Sequence, residues 1–175
     1  TNIRNSEYPQ VLPDNRVVFK LKAADAQKVQ IDLGKKYDMV KDAEGFWNVT
    51  TDVINPGFNY YSLIIDGVAV ADPASETFYG MSRMASGIEI PHRESDYYTL
   101  KDVPQGDIRI KKYFSRATNS WREMYIYTPP GYDQSPDKSY PVFYLISGTT
   151  DTEETFFKVG RTNWILDNLI AEGLA

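Results

Sequence analysis

Hydrophobic and polar positions alternate with period two through the first half of the chain. In "RVVFKLK", Val17, Phe19 and Leu21 share one face, with Val18, Lys20 and Lys22 on the other. "KVQIDL" sets Val29, Ile31 and Leu33 against polar neighbours, and "GFWNVTT" and "NYYSLIID" follow at similar spacing. Strict alternation bounded by turn residues marks half-buried antiparallel strands. The turns are Asp14-Asn15, Glu44-Gly45, Asn55-Pro56-Gly57 and Asp66-Gly67. Asp-Gly between two strand-like runs favours a tight hairpin. Residues 11–90 therefore predict an all-β sandwich with no long helix.

The pattern changes beyond this region. Residues 91–106, "PHRESDYYTLKDVPQG", are punctuated by Pro91, Pro104 and Gly106 and read as a linker or strand-poor junction. "DIRIKKYF" and "WREMYIY" suit a hairpin around "SRATNS", and "TPPGYDQSPDKSYP" is a turn-rich loop. "VFYLI", residues 142–146, is a continuous apolar run, as in a strand covered on both faces. Thr150 and Glu153 have the spacing of a capping box for a short helix. In "NWILDNLIAEG", Ile165, Leu166, Leu169 and Ile170 form one helical stripe, with Gly173 as a stop. Strand, loop and helix in this order begin a parallel α/β unit.

Composition narrows the function classes. With 42% hydrophobic and 25% charged residues, the chain of 175 residues is typical of folded domains. A net charge of −5 without a Lys/Arg run argues against nucleic acid as a partner. No apolar stretch approaches the roughly 18 residues of a membrane span. The absence of cysteine suits an oxidising compartment. Thirteen tyrosines and three tryptophans supply ring faces and hydroxyls of the kind that hold sugars.

Two sets of motifs carry a family resemblance. "YIYTPPGYDQSPDKSYPVFYLISG", followed by "VGRTNWILDNLIAEG", resembles the opening of the catalytic domain of carbohydrate esterase family 1, which includes feruloyl and acetyl xylan esterases of α/β-hydrolase fold. "EGFWNVTTDVINPGFNYYSLIIDGVAVADP" resembles the immunoglobulin-like (E-set) module of carbohydrate-binding module family 48. "SETFYGMSRMASGIEIP" is similar to the junction where the two are fused. Many members of the esterase family carry His-Gly after the third strand. Here the pair is Ser147-Gly148, and "LISGTTDTEETF" is also similar to the corresponding loop of S-formylglutathione hydrolases.

The resemblance implies an immunoglobulin-like module over residues 1–95, a linker at 96–106, and the N-terminal part of an α/β-hydrolase esterase domain over 107–175. It implies a secreted, periplasmic or cell-surface bacterial protein acting on plant cell-wall polysaccharide, feruloylated arabinoxylan in particular. Rival expectations are a carbohydrate-binding module without catalysis, or an esterase of acetyl xylan, siderophore or S-formylglutathione type.

Ester hydrolysis on this fold needs a serine in a G-x-S-x-G elbow, a histidine base, an orienting acid and two amide donors for the oxyanion. No G-x-S-x-G occurs; the nearest stretch, "GMSRM" (residues 80–84), lacks the final glycine. The one histidine, His92, lies in the junction and suits a solvated position. The resemblance puts all three triad members beyond Ala175, so the chain alone is expected to be inactive. The rest of the catalytic domain, or another copy, is expected to cover the open sheet edge.

The loop after the third strand supplies one oxyanion amide in this fold. The resemblance assigns that role to Thr149, with Gly148 letting the backbone approach; from the residues alone, a plain strand-to-helix connection is the favoured reading, since glycine is common in loops. Trp47, Tyr60 and Tyr61 are the candidate sugar contacts. Alternation puts Tyr60 and Tyr61 on opposite sheet faces, and Trp47 suits either an exposed platform or the core. Asp72-Pro73 reads as a turn, and Asn48-Val49-Thr50 matches a glycosylation sequon. Asp151, Glu153 and Glu154 suit the first turn of a helix better than a metal site. No metal or cofactor is expected.

Overall fold

A computed structural model describes residues 1–80, 82–92 and 95–175. Met81 of the "GMSRM" stretch, and Arg93 and Glu94 of the junction, lie outside the described residues. The chain forms two compact units, Thr1–Arg93 and Glu94–Ala175.

The first unit is a two-sheet antiparallel sandwich of immunoglobulin-like type. One sheet runs β1 (Gln10–Val11), β2 (Val17–Lys22), β6 (Phe46–Thr50) and β5 (Val40–Lys41). The other runs β4 (Lys36–Asp38), β3 (Val29–Asp32), β7 (Gly57–Ile65), β10 (Arg83–Ile90) and β9 (Thr77–Gly80), with β8 (Val68–Val70) on β7. The alternation fixes the faces: Val17 and Phe19 from β2 meet Val29, Ile31, Tyr61, Leu63, Ile88 and Ile90 from the facing sheet. Phe19 and Tyr61 pack edge to face with ring centres 5.0 Å apart. "SETFYGMSRMASGIEIP", which the resemblance sets at the fusion junction, supplies β9 and β10 of the sandwich.

Asp66 and Gly67 close a two-residue hairpin between β7 and β8, where Ile65 pairs with Val68. Both have positive φ, 48° and 88°, as the favoured two-residue turn requires. Asp66 also accepts from the amides of Gln27 and Lys28 at 2.9 and 2.8 Å, tying this turn to the approach to β3.

In the second unit, β11 (Asp107–Ser115) and β12 (Ser120–Thr128) form the expected hairpin, in register from Asp107↔Thr128 to Ser115↔Ser120. Successive turns follow, with the amides of Tyr132, Ser135 and Lys138 donating to the carbonyls of Pro129, Tyr132 and Ser135. Two helices close the unit, α1 (Thr155–Lys158) and α2 (Thr162–Ala171). The stretch 96–106, expected as a linker, lies in this unit; its 3-10 turn, Ser95–Tyr98, packs on α2.

Three sequence expectations fail here, each for a physical reason. Residues 142–146 form no strand, and Phe143 and Tyr144 are 76% and 81% exposed. No strand among the described residues offers this run a ladder: β11 and β12 pair only with each other, and a parallel strand exists only between neighbours. The capping box does not form. α1 starts at Thr155 with Glu154 as N-cap, without a side-chain cap bond. On α2, the fully buried residues are Asp167 and Asn168, while Ile165, Leu166, Leu169 and Ile170 are half-buried. Polar partners from distant segments override the apolar stripe. Gly173 does end α2, at φ 71°, with Leu174 donating back to the Leu169 carbonyl at 2.8 Å.

Candidate functional site

The loop assigned to the oxyanion role lies between the 142–146 run and α1. Ser147 is half-buried, and Gly148 and Thr149 are exposed. The Gly148 carbonyl accepts from the Asp151 amide at 3.1 Å, closing a turn whose inner residues are Thr149 and Thr150. The Thr149 amide has no partner among the described residues, so it is open to an incoming acceptor. Gly148 has no positive φ. A Cβ there would come within 3.3 Å of Asp151 Oδ2, the end of a flexible side chain. Glycine is thus not dictated by the local backbone.

On the far side of the turn, Thr152 donates its amide to Thr155 Oγ1 at 3.3 Å, and Thr155 donates back to the Thr152 carbonyl at 3.1 Å. Glu154 pairs with Lys158 at 2.9 Å, one helical turn on. Among the described residues, Asp151, Glu153 and Glu154 do not gather into a metal-binding group.

The three aromatic candidates of the sandwich are not brought together. Trp47 stands on β6 in one sheet, and Tyr60 and Tyr61 on β7 in the other. Trp47 is 6% exposed, its Nε1 donates to the Ala23 carbonyl at 2.8 Å, and Lys41 Nζ lies 5.5 Å from its ring centre. It is a core residue, because the indole N–H finds a half-buried backbone acceptor and the rest of the ring is apolar. Tyr61 is 1% exposed, and its hydroxyl donates to Asp72 Oδ2 at 2.8 Å. Burial, reinforced by the Asp72 carboxylate, pushes the Tyr61 hydroxyl well above the usual tyrosine range. Neither ring presents a face to a ligand.

Tyr60 lies on the opposite sheet face, as alternation requires, and is half-buried. It belongs to a ring ladder that the sequence reading missed. Phe58 packs edge-on to Tyr60 at 5.0 Å and to Phe78 at 4.9 Å, and the Tyr60 hydroxyl donates to the Tyr79 carbonyl at 3.2 Å. The rings lie against glycines on neighbouring strands: a Cβ on Gly80 or Gly87 would sit 2.3 Å from Tyr60 Oη or Phe58 Cζ. Alternation from Phe58 to Tyr60, facing glycines in β9 and β10, was the available signal.

The remaining candidates settle into structural places. His92 is exposed after β10. Asp72 forms its turn, accepting from Ser75 at 3.1 Å, and is also buried, bonded to Tyr61 and, through its amide, to Ser86 Oγ at 2.8 Å. Asn48 is half-buried with its amide nitrogen donating to Asp42 and to the Phe46 carbonyl, so the sequon side chain is engaged. Among the described residues no helix is long and apolar enough to cross a membrane.

Comparison with known proteins adds sequence kinship and a fold match. An endo-1,4-beta-xylanase/feruloyl esterase of Xylanibacter ruminicola is 35% identical over 181 residues, spanning 98% of this chain and 25% of the relative. Endo-1,4-beta-xylanase Y of Acetivibrio thermocellus is 30% identical over 111 residues, 63% of this chain and 10% of the relative. The chain thus spans a quarter or less of these relatives. No family model matches it. Among solved structures, the enterochelin esterase of Shigella flexneri superposes with a TM-score of 0.57 at 15% identity, over 93% of this chain and 50% of that one. A second structure, of the Shigella flexneri enterobactin esterase, gives 0.57 at 14% identity, over 90% and 48%. At these identities the likeness is one of fold.

Proposed function

We propose that residues 1–175 are part of a carbohydrate esterase that removes feruloyl (hydroxycinnamoyl) groups from arabinoxylan. In this reading the sandwich is a module of the carbohydrate-binding family 48 type. Residues 107–175 open a catalytic domain of the carbohydrate esterase family 1 type, and the protein works outside the bacterial cytoplasm. The observation that carries the reading is the 35% identity to a xylanase/feruloyl esterase, in an alignment that spans 98% of the chain and so takes in both units. The fold likeness to esterases over more than nine-tenths of the chain supports the same two-part organisation.

The chemistry assigned to this chain is electrostatic. A serine from the segment beyond Ala175 attacks the ester carbonyl, with a histidine taking its proton. The carbonyl oxygen gains negative charge in the tetrahedral intermediate, and the Thr149 amide donates to it from a preorganised turn. The intermediate collapses to an acyl-serine and releases the sugar hydroxyl; water then repeats the sequence to free the ferulate. In this reading the module holds or orients the polysaccharide.

Hydrolysis of methyl ferulate and of p-nitrophenyl acetate tests this reading. The 175-residue chain is expected to be silent and the full-length gene product active, with loss of activity on serine-directed phosphonate. Phosphonate-sensitive turnover by the 175-residue chain, or a full-length product that retains xylan but cleaves no feruloyl ester, overturns it. The second outcome would leave a binding module.

A further inference from the structure

The second unit holds a buried carboxylate that the proposed chemistry leaves unused. Asp167, on α2, is 1% exposed. Its Oδ1 accepts from the Gly106 amide at 2.8 Å and from the Tyr127 hydroxyl at 2.7 Å. Gly106 immediately precedes β11, Tyr127 stands one residue before the end of β12, and Asp167 is forty residues further on. Three distant pieces of chain thus meet at one oxygen.

The joint is sterically exacting. A Cβ on Gly106 would lie 2.4 Å from the Thr128 carbonyl oxygen and 2.6 Å from the Tyr127 ring, so only glycine brings its amide under the tyrosine. Burial and the Asp167 carboxylate push the Tyr127 hydroxyl above the usual tyrosine range. The next residue extends the joint: Asn168 Nδ2 donates to the carbonyls of Tyr97 and Thr99 at 3.0 and 2.9 Å.

Such a joint is a poor device for stability alone. Among the described residues, the buried Asp167 Oδ2 and Asn168 Oδ1 have no hydrogen-bond partner. A buried charge short of partners is often no better than a well-packed apolar side chain. What the carboxylate supplies is register. Residues 129–161 leave the end of β12, carry the Gly148–Thr149 turn, and return to α2 without pairing to any described strand. Tyr127–Asp167 ties the two ends of that excursion together, beside the Arg109–Asp133 ion pair at 2.6 Å and the Tyr125–Phe157 ring stack within it, and so narrows the freedom of a loop of about forty residues.

We propose that Asp167, acting through Tyr127 and Gly106, is the positioning residue that fixes the ends of the segment carrying the Thr149 amide. The proposal rests on the esterase reading for its catalytic consequence, and on this joint alone for its structural one. An oxyanion donor must be in place before the reaction, and misplacement by about 1 Å costs up to 100-fold in rate.

Asp167→Asn, Tyr127→Phe and the double variant test it. Charge-assisted bonds are about twice as strong as neutral ones. In the 175-residue chain, Asp167→Asn is therefore expected to speed exchange of the Gly106 amide by about tenfold or more, while Ile31 and Leu63 in the sandwich keep wild-type protection. Tyr127→Phe, which spares the Gly106 bond, should have a smaller effect, and the double variant should be no worse than Asp167→Asn. In the full-length product, Asp167→Asn should lower kcat on methyl ferulate by about 10- to 100-fold with KM within about twofold, a split that mere unfolding does not produce. Unchanged Gly106 protection in Asp167→Asn, or a kcat loss that only tracks the folded fraction, overturns the proposal. If the wild-type full-length product cleaves no feruloyl ester, the functional reading fails, and Gly106 exchange decides the joint by itself.

Discussion

The Tyr61 hydroxyl donates to Asp72 Oδ2 at 2.8 Å inside the sandwich, linking β7 to the turn before β9. Asp72 is buried and accepts a second bond, from the Ala74 amide at 2.8 Å. Tyr61→Phe keeps the ring and its packing on Phe19 but leaves the carboxylate one donor short. The expected loss is about 1–3 kcal/mol, measured by urea unfolding of the 175-residue chain. A loss no larger in Tyr61→Phe than in an exposed control such as Tyr113→Phe would contradict the assignment.

The same pair sets an alkaline limit. The folded-state pKa of Tyr61 is raised above the ordinary tyrosine value of 10.0, chiefly by burial and then by Asp72. The unfolded chain loses this proton first, so stability is intact below pH 10 and falls as pH rises above it. Wild type is expected to lose stability above pH 10 more steeply than Tyr61→Phe. Parallel stability–pH curves for the two would refute this.

Trp47→Ala separates core from platform. With the ring buried and its N–H on the Ala23 carbonyl, truncation is expected to cost about 3–5 kcal/mol. Retention on insoluble xylan should be unchanged at temperatures where the variant is folded. Weakened retention with full stability would return Trp47 to the surface.

Asp66→Ala tests the turn that joins β7 and β8. The carboxylate accepts from two backbone amides, Gln27 and Lys28, and the residue has φ 48°, where alanine is disfavoured. A loss of about 1–3 kcal/mol in urea unfolding is expected, with no change in the β-rich circular dichroism spectrum. A neutral substitution would show that the turn does not anchor the approach to β3.

The sandwich was legible because its information is local. Alternation in β2, β3, β6 and β7 assigns the faces, and Asp66-Gly67 names its own turn chemistry. The β11–β12 hairpin is likewise written in adjacent residues. The failures depend on partners far along the chain. "VFYLI" has the composition of a covered strand, but a ladder is a property of two segments, and none of the described strands supplies the second. Asp167 and Asn168 break the stripe of α2 because their partners, Gly106, Tyr127, Tyr97 and Thr99, lie 40 to 71 residues away. The period of β6 alone does not place Trp47, whose partner, the Ala23 carbonyl, lies 24 residues away. Of the candidate site, the assignment of the Gly148–Thr149 turn to the oxyanion rests on family resemblance alone, and the Phe58–Tyr60–Phe78 ladder required the register of three strands.

The most direct test of the account is the Thr149 amide itself. Thr149→Pro in the full-length gene product removes that N–H and leaves the neighbouring side chains in place. Steady-state hydrolysis of methyl ferulate is expected to lose about 100- to 1,000-fold in kcat, while Thr149→Ala, which keeps the amide, stays near wild type. Equal activity of Thr149→Pro and wild type would contradict the assignment of this loop to the oxyanion, and with it the reading of residues 107–175 as the opening of an esterase domain.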